Sequence, residues 1–299
     1  MTPVRIGTRG SRLALAQAGL VADGLRRLGR AAPIVPISTL GDRDRRRTFA
    51  EIGGRGVFVR EIEQALLDGA VDVAVHSAKD LTDDEHPDLV FAACLERGDP
   101  RDAWCGPARS LDDVPAGARV GTSSLRRTAQ LRGLRPDLEV EPIRGNVDTR
   151  LRKRSERGLH AVLLAACGLD RLGLEREVGF RFAVATMVPE SGQGTIVVQT
   201  RRGEEHLVSE LDHGPSQRSL LAERTCTRTL AGGCTVPVAA HAEPLADDRW
   251  RVRGFIGRVE GSGMLSECAE GDDPVALGSE VAGRLLERGG AELLGAIRA

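Results

Sequence analysis

Val71-Asp-Val-Ala-Val-His-Ser-Ala-Lys-Asp80 is the stretch on which the reading of this chain turns. Val71, Val73 and Val75 alternate with Asp72, Ala74 and His76, the period-2 pattern of a β-strand. The strand runs out in Ser77, Lys79 and Asp80, three groups able to bind or move protons. In an open α/β sheet, ligands sit just beyond the carboxyl ends of the strands, so Lys79-Asp80 delivered there is a candidate reaction centre. The same pair equally suits a solvated loop with a surface ion pair. The stretch alone does not separate the two.

Upstream of it, an amphipathic helix is predicted over 58–67 from Phe58, Ile62 and Leu66, stopped by Gly69. Before that helix lies a charged, Gly-rich loop, 41–56, with Arg45-Arg-Arg47 and Gly53-Gly-Arg-Gly56. A strand is expected over 33–39 and another over 4–8. Between them runs a helix capped by Ser11, patterned by Val21, Leu25 and Leu28, and ended by Gly29. Downstream, the apolar run 89–95 completes a βαβαβ-like unit with a parallel sheet.

At Gly98-Asp-Pro-Arg-Asp102 the pattern breaks and a second unit of similar rhythm begins. Arg119-Val-Gly121 reads as a strand end, Thr122-Ser-Ser124 as a hydroxyl-rich cap, 125–134 as a helix and 138–143 as a strand. Arg144-Gly-Asn-Val-Asp-Thr-Arg150 leads into a basic helix. The run 160–166 is nearly all apolar, as a strand buried on both faces would be. Segments 182–188 and 196–199 read as extended, with Gly192-Gln-Gly194 as a hinge. From 213 the style changes to a helix (216–230), three strands (238–243, 250–259, 264–270) and a helix (274–288). Strands grouped before a helix indicate a small α+β domain.

Composition narrows the function classes. The 299 residues are 41% hydrophobic and 28% charged, an ordinary globular balance with room for two or three domains. Forty-two basic residues face 43 acidic ones, so bulk charge gives no sign of nucleic acid binding. Six Phe, two Trp and no Tyr speak against a stacking platform for single strands. No run of 18 apolar residues appears and no apolar signal core precedes Val4, so a cytoplasmic protein without a membrane span is expected. The six cysteines are scattered with no C-x-x-C pair, which suggests neither a zinc site nor a disulfide framework, and no metal is expected.

The clearest chemical signal is arginine at element ends. Arg9, Arg126, Arg127, Arg144, Arg150 and Arg171 lie at strand-to-helix junctions or in first helical turns. Helix N-termini already favour anions, and arginine adds planar bidentate binding of carboxylate or phosphate. Any single one suits solvated surface equally well, but six in matching positions of two units point to a polyanion site. Thr122-Ser-Ser124 lacks the lysine and glycines of a Walker A loop, and no G-x-S-x-G or H-E-x-x-H motif occurs. His76 reads as a packed or hydrogen-bonded strand residue. Cys234 follows two glycines, a setting that suits either a reactive thiol or an inert small side chain.

Together these residues resemble the hydroxymethylbilane synthase (porphobilinogen deaminase) family. The matching stretches are Ile6-Gly-Thr-Arg-Gly-Ser11-Arg-Leu-Ala-Leu15, Gly53-Gly-Arg-Gly56, His76-Ser-Ala-Lys-Asp80, Asp99-Pro-Arg-Asp102 and Gly121-Thr-Ser-Ser-Leu-Arg-Arg127. Arg144-Gly-Asn-Val-Asp-Thr-Arg150, Gly192-Gln-Gly194 and Leu230-Ala-Gly-Gly-Cys234-Thr-Val-Pro237 complete them, in family order over nearly the whole chain. The resemblance implies two periplasmic-binding-protein-like (type II) α/β domains around a cleft, plus a small C-terminal α+β domain. The bounds it implies are 1–96 with 195–212, then 97–194, then 213–299.

By the same resemblance the protein would be a monomeric transferase of porphyrin and haem biosynthesis. It would join four porphobilinogen units head to tail with loss of ammonia, then hydrolyse off linear hydroxymethylbilane. Porphobilinogen and polypyrrole intermediates are its expected partners, with no nucleic acid or membrane. A dipyrromethane cofactor would be attached by a thioether to Cys234 and held by Lys79, Asp80, Thr122, Ser124, Arg126, Arg127, Arg144, Gly145 and Asn146. Substrate would meet Arg9, Ser11, Arg144, Arg150 and Arg171, with Asp80 as the catalytic carboxylate.

Three departures stand out: Arg55 where lysine is common, Leu81-Thr82 where a proline usually follows, and Glu190 where small apolar residues normally flank Gly-Gln-Gly. A carboxylate at 190 would bear on elongation or domain closure. The competing class is a non-catalytic binding protein that keeps the cleft for a small anion; it would need neither Cys234 nor Asp80.

Overall fold

The computed structural model describes residues 2–39, 59–82, 86–230 and 236–298. Loop 41–56 with Arg55, and Cys234, lie outside the described residues. The chain divides into two units, residues 1–98 with 194–217, and residues 99–193 with 218–299.

The first unit opens with β1 (Ile6–Arg9), α1 (Arg12–Arg27) and β2 (Ile34–Ile37), continues with α2 (Arg60–Leu67), β3 (Val73–Ser77) and β4 (Leu89–Cys94), and takes back β10 (Ile196–Arg201). Ser11 accepts from the Ala14 amide, the N-cap its sequence position suggests. The sheet order is β2-β1-β3-β10-β4. β1, β2 and β3 are parallel, whereas β10 runs antiparallel to both β3 and β4. The four strands of the expected βαβαβ-like unit thus run the same way, and the one opposing strand is β10, a distant segment that enters between β3 and β4 and that local periodicity cannot register.

Both faces of this sheet are covered. Val73 and Val75 pack with Val21 and Leu25 of α1, while Ala74 packs with Ile62 and Leu66 of α2. The alternation along 73–76 thus separates two buried faces rather than a core face and a wet one, while Val71, before the strand, falls in the same cluster as Ala74. Each fully buried Val, Ile or Leu contributes about 1.5–3 kcal/mol.

In the second unit, residues 99–193 build β5 (Asp102–Cys105), β6 (Arg119–Gly121), α3 (Leu125–Leu134), β7 (Glu139–Glu141), α4 (Val147–Glu156), β8 (Ala161–Ala165), α5 (Ala166–Asp170) and β9 (Phe180–Arg181). The order β7-β6-β8-β5-β9 repeats that of the first sheet. Four strands run the same way, and β5 lies antiparallel between β8 and β9. The extended segment expected at 182–188 is absent; pairing stops at Arg181, and Phe182 to Val188 pass through turns that bury Phe182, Met187 and Val188. β5 was not expected, since Asp102 and Trp104 break its apolar pattern.

The helix α6 (Gly214–Thr229) leads to β11 (Val238–Pro244), β12 (Trp250–Ile256) and β13 (Leu265–Gly271), an antiparallel sheet. α7 (Pro274–Leu285) packs on it through Leu277, Val281 and Leu285, and α8 (Ala291–Arg298) ends the described chain. The architecture is mixed α/β with a small C-terminal α+β part.

Candidate active site

β3 leads straight into a single 3-10 turn, Ala78–Asp80. The Ala78 amide donates to the Thr195 carbonyl at 3.0 Å, so the turn is tied to the residue just before β10, the strand paired with β3. Lys79 and Asp80 come out half-buried at the carboxyl end of the strand. A pocket opens there, lined by Arg9, Ser11, Gln17, His76, Lys79 and Asp80 among others. Of the residues expected at the site, it gathers Arg9, Ser11, Lys79 and Asp80 from the ends of β1 and β3 and the start of α1.

Two polar contacts shape its wall. Gln17 Nε2 donates to Ser77 Oγ at 3.4 Å. His76 Nε2 lies 3.1 Å from Gln199 Oε1, and Gln199 Nε2 donates to Glu63 Oε1 at 2.9 Å. His76 and Gln199 are buried, as the reading of His76 as a hydrogen-bonded strand residue requires. Burial brings the His76 pKa down to about 4, against a smaller upward pull from Gln199.

In the second unit the expected ligands sit at the N-termini of α3 and α4. Ser124 Oγ accepts from the Arg127 amide, and Thr122 Oγ1 accepts from the Ser124 amide. Asn146 Oδ1 accepts from the Thr149 amide at the start of α4. Gly145 takes φ +118°, and its carbonyl accepts from Arg150 Nε at 2.7 Å. The Arg144 carbonyl accepts from Lys153 Nζ at 3.2 Å. Arg171 follows α5, and burial lowers its pKa.

Arg126 and Arg127 are not surface groups. Both are buried, and both bind Asp102, which has no exposed surface. Arg126 donates to Asp102 Oδ2 at 2.6 Å and to the Val188 carbonyl at 2.8 Å. Arg127 donates through Nε to Asp102 Oδ1 at 2.9 Å and to the Leu163 carbonyl at 2.9 Å. Gln193 Nε2 adds a bond to Asp102 Oδ1 at 2.9 Å. Burial pushes the Asp102 carboxyl up, but the two guanidinium groups outweigh it and hold it well below the usual carboxylate range.

Glu190 completes this cluster. Its Oε2 accepts from Arg126 Nε at 3.2 Å, so two carboxylates face two guanidinium groups. In the sequence Asp102 stands out only as part of a motif, and its charge partners 24 and 25 residues on are brought to it by the β5–β8 pairing and the packing of α3. Gln17, Glu63 and Gln199 were missed altogether. Nothing local marks them, since each is a polar residue in an otherwise regular element. Among the described residues no group of three or more His, Cys, Asp or Glu could hold a metal ion.

The family description "Porphobilinogen deaminase, dipyromethane cofactor binding domain" matches residues 4–209, and "Porphobilinogen deaminase, C-terminal domain" matches 218–287. The chain belongs to the porphobilinogen deaminase family. Porphobilinogen deaminase of Roseiflexus castenholzii is 45% identical over 298 residues, covering 97% of each chain. That of Brevibacillus brevis is 40% identical over 296 residues, covering 97% of this chain and 96% of the relative. The Xanthomonas axonopodis pv. citri protein is 44% identical over 302 residues, covering 98% and 99%. Among solved structures, a periplasmic ABC-transporter substrate-binding protein from Coxiella burnetii is similar with a TM-score of 0.43 and 17% identity, over 71% of this chain and 93% of that one. The cofactor-binding match of the porphobilinogen deaminase family contains both the β3 pocket and the Asp102 cluster.

Proposed function

We propose that this chain acts as a hydroxymethylbilane synthase. It condenses four porphobilinogen molecules head to tail, releases ammonia at each step, and frees linear hydroxymethylbilane by hydrolysis. The observation that carries the residue-level reading is the pocket at the end of β3, which sets Arg9 and Lys79 beside Asp80. Each pyrrole of the substrate bears an acetate and a propionate, and Arg9 and Lys79 supply charge-assisted donors for such groups. Loss of ammonia leaves a cationic azafulvene, which the Asp80 carboxylate stabilises electrostatically. Asp80 also accepts and returns protons at the pyrrole nitrogen and the leaving amine. Lys79 serves as a carboxylate binder rather than a Schiff-base nucleophile.

Dipyrromethane, when bound, supplies the pyrrole end to which substrate is added. The residues present fit such a group, since the pocket joins cationic donors for its carboxylates to a carboxylate acceptor for its N–H groups. Thr122, Ser124, Arg126, Arg127, Arg144, Gly145 and Asn146 are the cofactor contacts of this reading, Ser11, Arg150 and Arg171 further substrate contacts, and Cys234 the attachment point. The three-domain division at 1–96 with 195–212, 97–194 and 213–299 belongs to the same reading. It is supported by the two separate sheets and cores of the second unit. A cytoplasmic monomer is proposed with it. Among the described residues no helix is long and apolar enough to cross a membrane.

Intact-mass measurement of freshly purified protein tests the assignment. The expected result is an excess of two pyrrole units that disappears in Cys234→Ser. An unmodified, inactive wild type produced with precursor available overturns it.

A further inference from the structure

A short polar chain with a fixed direction reaches the wall of the β3 pocket at His76. Glu63 on α2 offers a carboxylate, which only accepts. The Gln199 amide therefore turns its NH2 toward Glu63, at 2.9 Å, and its carbonyl oxygen toward His76, at 3.1 Å. A carbonyl oxygen only accepts, so the hydrogen of the neutral imidazole sits on Nε2. Nδ1 then carries a lone pair and no hydrogen. The ring cannot offer its pocket an N–H donor: its one N–H is spent on Gln199.

The rest of the pocket divides the same way. Arg9 and Lys79 bring cationic donors, and Asp80 brings an acceptor. A third cation at His76 would make the whole wall attract carboxylates. An acceptor there favours an N–H group instead and repels a carboxylate, a discrimination that needs repulsion as well as attraction. His76 is 5% exposed, and burial keeps the imidazole uncharged over the working range. The charged groups about it are Glu63 on α2, Arg9 at the end of β1, and Lys79 and Asp80 beyond β3.

We propose that His76 is a specificity-determining residue, an imidazole locked with its hydrogen on Nε2 by Gln199 and Glu63, whose Nδ1 accepts a hydrogen bond from an N–H group of the bound substrate. The substrate half of this rests on the reading of the β3 pocket as the porphobilinogen site. The lock does not.

Nitrogen-15 NMR of histidine-labelled holoenzyme reads the lock without turnover, with His76 assigned from its missing signal in His76→Asn. The expected spectrum is a neutral Nε2–H tautomer unchanged from pH 8 to pH 5. In Glu63→Gln, whose amide can donate as well as accept, a second tautomer should appear. A Nδ1–H tautomer, or a His76 that charges between pH 6 and 7, overturns the lock. Steady-state kinetics with porphobilinogen read the contact. His76→Leu is expected to raise KM about tenfold, the size of one hydrogen bond. His76→Asn, whose Oδ1 stands near the place of Nδ1, should restore most of it. Equal KM values in wild type and His76→Leu overturn the contact. A wild type that does not consume porphobilinogen overturns it together with the functional reading, and leaves the tautomer result standing.

Discussion

Asp80 owes its place to the strand and turn that carry it. Val75 is buried in the core, Ser77 ends the strand, and the turn Ala78–Asp80 is tied to Thr195 by a main-chain bond, so the carboxylate is presented by rigid backbone. In Asp80→Ala, turnover should fall about 10²–10⁴-fold, the usual cost of losing a positioned proton-transfer group. Substrate binding should persist. Single-turnover assays beside equilibrium binding check both, and near-normal turnover removes Asp80 from the mechanism.

His76 makes a second prediction at this scale, for stability. Its pKa is lowered from 6.5 to about 4 by burial, so between those values the unfolded chain holds a proton that the folded chain does not. Stability from this residue rises with pH across that window. It is fully present above about pH 6.5 and lost as the pH falls toward 4. Urea unfolding of His76→Asn should show a flatter pH dependence from 4 to 6.5 than wild type; parallel curves would contradict the burial effect.

At the scale of elements, the β5–α3 junction is held by charge. Asp102 at the start of β5 faces Arg126 and Arg127 from the first turns of α3, with no water-exposed surface on the carboxylate. Asp102→Asn leaves two buried guanidinium groups short of a counter-charge and should cost about 3–5 kcal/mol in urea unfolding at neutral pH. Because the folded-state pKa of Asp102 is depressed, its contribution is present above the ordinary carboxylate pKa and fades as the pH falls below it. The gap between variant and wild type should therefore narrow in acid. A loss under 1 kcal/mol at neutral pH would mean that Asp102 is not what holds the junction.

The same element shows where sequence reading stops. The helix Leu125–Leu134 and its Ser124 cap were legible, since cap chemistry and helix pattern are local. That Arg126 and Arg127 point into the protein was not. An arginine in the first turn looks identical in sequence whether it faces water or a carboxylate 24 residues away. Glu190, readable only as a departure in a Gly-rich segment, joins the same cluster.

For the molecule as a whole, the decisive feature is the return of the chain at 194 to the first unit. β10 enters antiparallel between β3 and β4, while β5 does the corresponding thing between β8 and β9, so each sheet has one strand running against the other four. The return is tight. Gly194 has φ +96°, its carbonyl accepts from the Gly98 amide at 3.2 Å, and a Cβ there would lie 2.5 Å from the Gly98 carbonyl oxygen. Gly194→Ala suffers both left-handed strain and a backbone clash, and should lower stability by more than about 1 kcal/mol. Thermal unfolding reads this, and an unchanged midpoint refutes it.

Most of the helices and strands, the α+β character of the chain's end and the Lys79-Asp80 pair at a strand terminus are set by local residue order. Those depend on periodicity, caps and turns, which act over a few residues. Long-range packing places β10 beside β3, Asp102 against Arg126 and Arg127, and Glu63 and Gln199 behind His76. These are contacts across 24 to 136 residues of chain. Their physical cause is that a buried polar group must find its partner wherever the packed core brings one, and sequence distance places no limit on that.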